Sequence, residues 1–173
     1  RSILPLFLQL LRAKSLLMDA TCSIAPCGAT QDGNSTHWGA PINSKETIDA
    51  VLALKTWAVV GLGNNPERAA FGVAKLLQDK GHRIIPVYPR AEVVHGETGY
   101  KTLSEIPESI DVVDCFVNSA LVGKVVDEAI AIGAKAVWLQ LDVIDNEAVA
   151  RAQAAGLLTV MDRCPAIEYR ARA

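Results

Sequence analysis

Two stretches of the sequence have the residue types of an anion-binding site. The first is Gly61-Leu62-Gly63-Asn64-Asn65-Pro66, which follows the apolar run Trp57-Ala58-Val59-Val60 and leads through Arg68 into a segment of helical spacing. Paired glycines let a backbone turn tightly and approach a ligand. The helix N-terminus behind them presents unpaired N–H groups and a positive dipole end to a phosphate. The third glycine of the dinucleotide fingerprint is absent, and the loop lacks the Gly-Lys-Ser/Thr ending of nucleotide hydrolases, so a plain structural turn is the competing reading. The second stretch is Tyr88-Pro89-Arg90, after the run Arg83-Ile84-Ile85-Pro86-Val87. A plain NAD site usually carries a carboxylate there for the ribose hydroxyls. A cation at Arg90 suits instead a ribose that bears its own phosphate, as in coenzyme A or NADP; the alternative is a solvated loop arginine.

Other reactive side chains do not assemble into a catalytic set. His37 lies in a polar N-terminal segment, His82 opens the second apolar run and His95 comes after it, and no nucleophile or carboxylate is spaced to work with any of them. Cys115 falls inside an apolar run and is expected to be buried and inert. Cys164 stands after the last run, where a helix N-terminus or Arg163 would lower its pKa, and a mixed disulfide with a ligand thiol is one expectation for it. Cys22 and Cys27 have no second ligand pair nearby, so no metal site is expected. Asp111, Asp114, Asp127 and Glu128 fit strand entry and a solvated helix face, and Asp145 suits a helix N-cap before Asn146.

These candidates need a scaffold, and the apolar pattern supplies one. Apolar runs at Trp57–Val60, Arg83–Val87, Val112–Val117, Ala136–Leu139 and Leu157–Met161 alternate with helical segments at Ala69–Asp79, Leu121–Ile132 and Asn146–Ala155. Alternation of this kind argues for crossover connections and a parallel sheet. Gly81, Gly133 and Gly156 come just after the helical segments, where a left-handed C-cap favours glycine. Ser44 is placed to cap a short helix from Lys45 to Leu54. The expected fold is α/β: a Rossmann-like, doubly wound, five-stranded parallel sheet with helices on both faces and strand order 3-2-1-4-5. Ligands of such sheets bind beyond the carboxyl ends of the strands. That edge also carries Phe116-Val117-Asn118-Ser119, expected to cap the next helix or to contact adenine or pantetheine from the opposite wall, and the ends Gln140-Leu141-Asp142 and Asp162-Arg163-Cys164-Pro165.

Composition bounds the rest. The chain has 173 residues, a formal net charge of -2, half of its residues apolar and 5% aromatic, which suits one globular domain and shows no basic face for nucleic acid. No uncharged apolar run approaches the roughly 20 residues that span a bilayer, so a soluble protein is expected. Residues 1–43 differ from residues 44–173 and are read as an extension to a single domain. Arg1 to Leu17 is basic, lacks acids and is rich in Leu and Phe, like an organellar presequence; Pro5 and the possible start at Met18 argue otherwise. The expected location is cytoplasmic, or mitochondrial or plastid if the segment is a presequence. Asp19 to Asn43, with Trp38, reads as a linker or arm through which a protein partner could dock.

Five blocks together carry a family resemblance. They are Trp57 through Arg68, Pro86-Val87-Tyr88-Pro89, Val94-His95-Gly96-Glu97, Ala134 through Gln140, and Met161-Asp162-Arg163-Cys164-Pro165. From Thr56 to Tyr169, about two thirds of the chain, the sequence resembles the stand-alone CoA-binding proteins, whose fold is also the first domain of the succinyl-CoA synthetase alpha subunit. The resemblance implies that Gly61 to Pro66 and the adjoining helix terminus hold the phosphates of CoA. It also implies that Val87 to Arg90 line the adenosine end, and that Phe116 to Ser119 with Gln140 border the cleft. Three positions depart from the family pattern: Gly63 replaces a usual Ser, Tyr88 a usual Asn or His, and Asp142 a usual Gly. A carboxylate at Asp142 would repel a nearby phosphate unless it points away. The expected function is binding of CoA or an acyl-CoA without catalysis. An NADP-dependent redox protein, or a structural or assembly subunit that keeps the fold without the ligand, are the alternatives.

Overall fold

The structure is a computed structural model that describes residues 41–173. The presequence reading and residues 19–40 of the arm reading, with Cys22, Cys27, His37 and Trp38, lie outside the described residues, whereas Asn43, at the end of that arm, exchanges two hydrogen bonds with the main chain of Met161. In chain order the elements are α1 (Lys45–Leu52), β1 (Thr56–Val60), α2 (Ala69–Asp79), β2 (Arg83–Val87), a 3-10 turn (Leu103–Glu105), β3 (Val112–Cys115), α3 (Ser119–Ala131), β4 (Ala136–Leu139), α4 (Asn146–Ala154), β5 (Leu158–Val160) and α5 (Pro165–Ala171). All strand pairs are parallel.

Local chemistry sets the element ends. The Ser44 hydroxyl accepts from Thr47 N, Asn118 Oδ1 from Leu121 N and Asp145 Oδ1 from Ala148 N, which caps α1, α3 and α4. Gly81, Gly133 and Gly156 adopt φ of +88°, +72° and +88° just beyond α2, α3 and α4. The helix α5, which sequence spacing did not indicate, starts with Pro165 at its first turn.

The sheet order is β2-β1-β3-β4-β5, which corrects the expected order 3-2-1-4-5. Proline explains the difference. In the expected order β2 would be flanked on both sides, yet Pro86 has no N–H to donate. Its carbonyl faces away from β1 and accepts from Tyr100 N at 2.9 Å, so the missing donor lies on the outer side of an edge strand. The chain therefore returns past β1 through the Tyr88–Asp111 connection and inserts β3, all four of whose residues are buried, into the sheet interior.

Side chains alternate between two cores. On one face Trp57, Val59, Ile84, Val112 and Trp138 pack under α1, α2 and α5. On the other Ala58, Val87, Val113, Cys115, Val137 and Leu139 pack under α3 and α4. Trp57 and Trp138 sit 5.8 Å apart between ring centroids, and their indole N–H groups donate to Leu54 O and Arg163 O. Truncating a buried Trp of this kind to Ala costs about 3–5 kcal/mol. Cys115 is buried, as expected, and burial pushes its thiol pKa up.

Asp111 does sit at strand entry. Its carboxylate accepts from Thr56 N and Lys55 N and pairs with Lys135 Nζ at 2.7 Å, tying the starts of β1, β3 and β4. Asp114 does not: it is fully buried on β3, which corrects its reading as a strand-entry or surface acid. Gln140 Nε2 donates to Asp114 Oδ1 at 2.7 Å, while Oδ2 has no hydrogen-bond partner. Burial pushes the Asp114 carboxyl up to about 7, against the Gln140 hydrogen bond and the Cys115 amide.

Candidate functional site

In this strand order the direction of winding reverses between β1 and β3, so the ligand crevice of the fold lies beyond the ends of those two strands. Gly61 leaves β1 at φ +98°, and a Cβ on it would come within 2.5 Å of Phe116 O, the backbone just after β3. Only glycine fits there. Gly61 N also donates to Val87 O at 2.9 Å and Phe116 N to Val60 O at 2.8 Å, so the ends of β2, β1 and β3 form one rigid ledge.

From this ledge the loop runs outward. Asn65 Oδ1 accepts from Glu67 N, and Arg68 N donates to Asn65 O, which shapes the turn into α2. Unlike α1, α3 and α4, α2 has no side-chain cap; its N-cap residue is Arg68, and its first turn holds no acid. A cation at the positive end of a helix dipole is unfavourable by itself, and an anion at that terminus would offset it.

Across the crevice, Ala91 N donates to Tyr88 O, closing a turn after β2 that carries Arg90 over the Tyr88 ring, 5.6 Å from its centroid. The Tyr88 hydroxyl and the Glu92 carboxylate hold the Arg90 guanidinium firmly protonated. Two adjoining cavities result. One, of about 190 Å³, is bordered by Gly61, Gly63, Asn64, Asn65, Arg68, Tyr88, Arg90 and Glu92. The other, of about 330 Å³, shares Gly61, Arg68 and Tyr88 and adds Val60, Val87, Pro89, Phe116 and Val117, with Lys101, Thr102 and Leu103 along its outer wall.

The remaining predicted positions lie outside both cavities. Leu62 is fully buried in the core, and Pro66 flanks the loop without lining either space. The Asn118 side chain caps α3. Gln140 is turned inward onto Asp114, and Cys164, half-buried, begins α5 against the core of that face. The strand order accounts for the last two: β4 and β5 lie one and two strands away from the β1/β3 crevice. Asp142 is exposed, adopts φ +64° and borders neither cavity; its amide donates to Asp162 Oδ1. Asp is among the residues that tolerate a left-handed φ.

Sequence reasoning missed Glu92, Lys101, Thr102 and Glu128. They enter through the long β2–β3 connection and the side of α3, whose placement depends on tertiary contacts. Within that connection His95 Nε2 bonds Phe71 O at 2.8 Å and Val94 is buried, which pins the segment to α2. His82 is likewise structural, with its ring nitrogens bonded to Leu54 O and the Tyr169 hydroxyl. Among the described residues no group of three His, Cys, Asp or Glu side chains could hold a metal, and no helix is long and apolar enough to cross a membrane.

A larger cavity, about 540 Å³, opens at the other end of the sheet between Leu54, Ile130, Ala134 and Leu157. It is mainly apolar and lies at the amino ends of the strands, away from the crevice that the fold provides for ligands.

A parallel sheet of this order with helices on both faces is an α/β Rossmann-like fold, whose ligands bind where the winding reverses. Residues 55–170 match the CoA binding domain family, and the chain belongs to it. An uncharacterized protein, YneT, of Bacillus subtilis (strain 168) is 34% identical over 122 residues, 70% of this chain and 90% of that protein. A solved structure, a hypothetical protein from Pyrococcus horikoshii OT3, superposes with a TM-score of 0.71 at 39% identity, covering 74% of this chain and 91% of that one. A shorter match, 38% identity over 55 residues, links 31% of this chain to 12% of the acetate–CoA ligase (ADP-forming) II subunit alpha of Pyrococcus furiosus.

Proposed function

We propose that the chain binds coenzyme A or an acyl-CoA and acts as a non-catalytic binding module. The pyrophosphate rests on the backbone of Gly61 to Pro66 and the start of α2, with Arg68 beside it. Arg90 meets the ribose phosphate, and Val87, Tyr88 and Pro89 take the adenosine. The pantetheine runs along the wall formed by Phe116 and Val117. The observation that carries this reading is the meeting of the Gly61 turn, the uncapped α2 terminus, Arg68 and Arg90 around one cavity. Family membership and the short match to a CoA ligase subunit support the same ligand. The non-catalytic part rests on the engagement of His82 and His95 by main-chain carbonyls and on the burial of Cys115.

Calorimetric titration of the full chain with CoA, NADP and NAD at low salt tests the reading. Micromolar or tighter binding of CoA alone is expected, and the absence of CoA binding contradicts it. Arg90→Ala is expected to weaken CoA roughly tenfold, as loss of a charged hydrogen bond does, and to leave dephospho-CoA unchanged, because that ligand lacks the ribose phosphate.

A further inference from the structure

The phosphate loop already holds an anion of its own. Asn64 N, an amide of the loop, donates to Glu92 Oε2 at 2.9 Å. The other carboxylate oxygen, Glu92 Oε1, lies 3.5 Å from Arg90 Nε. One side chain thus engages an amide of the glycine loop and the cation that faces it. From this we infer that Glu92 is an internal stand-in for a ligand phosphate, which a phosphate-bearing ligand must displace to bind. The inference rests on the CoA-binding reading and adds how that site is regulated.

The chain is built to present this carboxylate. A Cβ on Gly63 would lie 3.3 Å from Glu92 Oε2, so the glycine leaves the carboxylate its room. Ala91 takes a left-handed φ of +49°, which a residue with a side chain rarely adopts, and so turns the chain between Arg90 and Glu92. Behind it, a Cβ on Gly99 would come 2.2 Å from Glu92 O, so backbone packs on backbone at the root of the side chain. Val94, 1% exposed, and the His95 bond to Phe71 O anchor the chain on the C-terminal side of Glu92.

The carboxylate itself is free to leave. The Glu92 side chain is 30% exposed and that of Arg90 is 72% exposed, and an ion pair so open to water is weak. A phosphate and a carboxylate cannot share one seat without mutual repulsion, so binding and the Glu92 contact exclude each other. The loop stays satisfied when empty, and ligand affinity is set below what the bare loop would give.

The test compares the full chain with Glu92→Gln and Glu92→Ala, titrating each with inorganic pyrophosphate and with CoA. Both variants are expected to bind both probes roughly two- to fivefold more tightly, the range for losing an exposed like charge. Thermal denaturation checks that each variant remains folded. Unchanged affinity overturns the inference. So does weaker affinity, the result for a carboxylate that accepts from a ligand hydroxyl; CoA binding by the unaltered chain then leaves the functional reading intact. Tighter pyrophosphate binding without any CoA binding sustains the inference and overturns the functional reading. Binding of neither probe to any of the three proteins overturns both.

Discussion

The ring of Tyr88 fills the space that a side chain at position 63 would need: a Cβ on Gly63 would stand 3.3 Å from Tyr88 Cε1. Gly63 and the Tyr88 ring therefore share one tight space. Gly63→Ser is expected to destabilise the protein by about 1 kcal/mol through overpacking. Adding Tyr88→Asn should recover at least half of that loss. A denaturant double-mutant cycle measures the coupling, and additivity would contradict the shared space.

Gly61 is constrained by both conformation and space. At φ +98°, with Phe116 O 2.5 Å from any Cβ, Gly61→Ala must shift the ends of β1 and β3. A loss of about 2 kcal/mol or more is expected. Urea denaturation reads it, and a variant as stable as the parent would show that the ledge is not rigid.

Stability depends on pH through two buried groups of opposite sign. Burial pushes the Asp114 carboxyl from 3.8 up to about 7, so the folded protein keeps a proton that the unfolded chain releases. The stability this contributes is full below the unfolded value and is lost as pH rises through about 7. Burial holds the His82 imidazole below its ordinary 6.5, against its bond to Leu54 O, so its contribution is present above that value and is lost as pH falls through the lowered one. Asp114→Asn is expected to flatten the decline in Tm between about pH 4 and about pH 7. An unchanged slope would mean that Asp114 is ionised in the fold.

Asp142 separates backbone strain from electrostatics. Since it borders neither cavity and holds φ +64°, Asp142→Gly is expected to leave CoA affinity unchanged. Thermal stability should rise by up to about 1 kcal/mol as the left-handed conformation is relieved. A large gain in CoA affinity would place its carboxylate against the ligand.

The strands were legible because strands of a parallel sheet, covered on both faces, read as continuous apolar runs, and Trp57–Val60 and Ala136–Leu139 do. The helix ends were legible in Ser44, Asp145 and the three C-terminal glycines. Pro86 held the signal for the strand order: a residue without an N–H belongs on an edge. The helix α5 was hidden by its seven residues, too few for a period to show. Asp114 and Glu92 were misread or missed because their partners, Gln140 and Asn64, lie 26 and 28 positions away in the chain. The Gly61 loop and the Tyr88–Arg90 turn, by contrast, are local motifs. The structure brings them to one cavity.

Binding of CoA at the β1/β3 crevice is read residue by residue in amide NMR of the isotopically labelled full chain during titration with CoA. Saturable shifts concentrated at the amides of Gly61 to Asn65, Ala69, Ala70, Tyr88 and Arg90 to Glu92 are predicted. Shifts concentrated instead around Leu54, Ala134 and Leu157 at the opposite end of the sheet, or no saturable shifts at all, would contradict it.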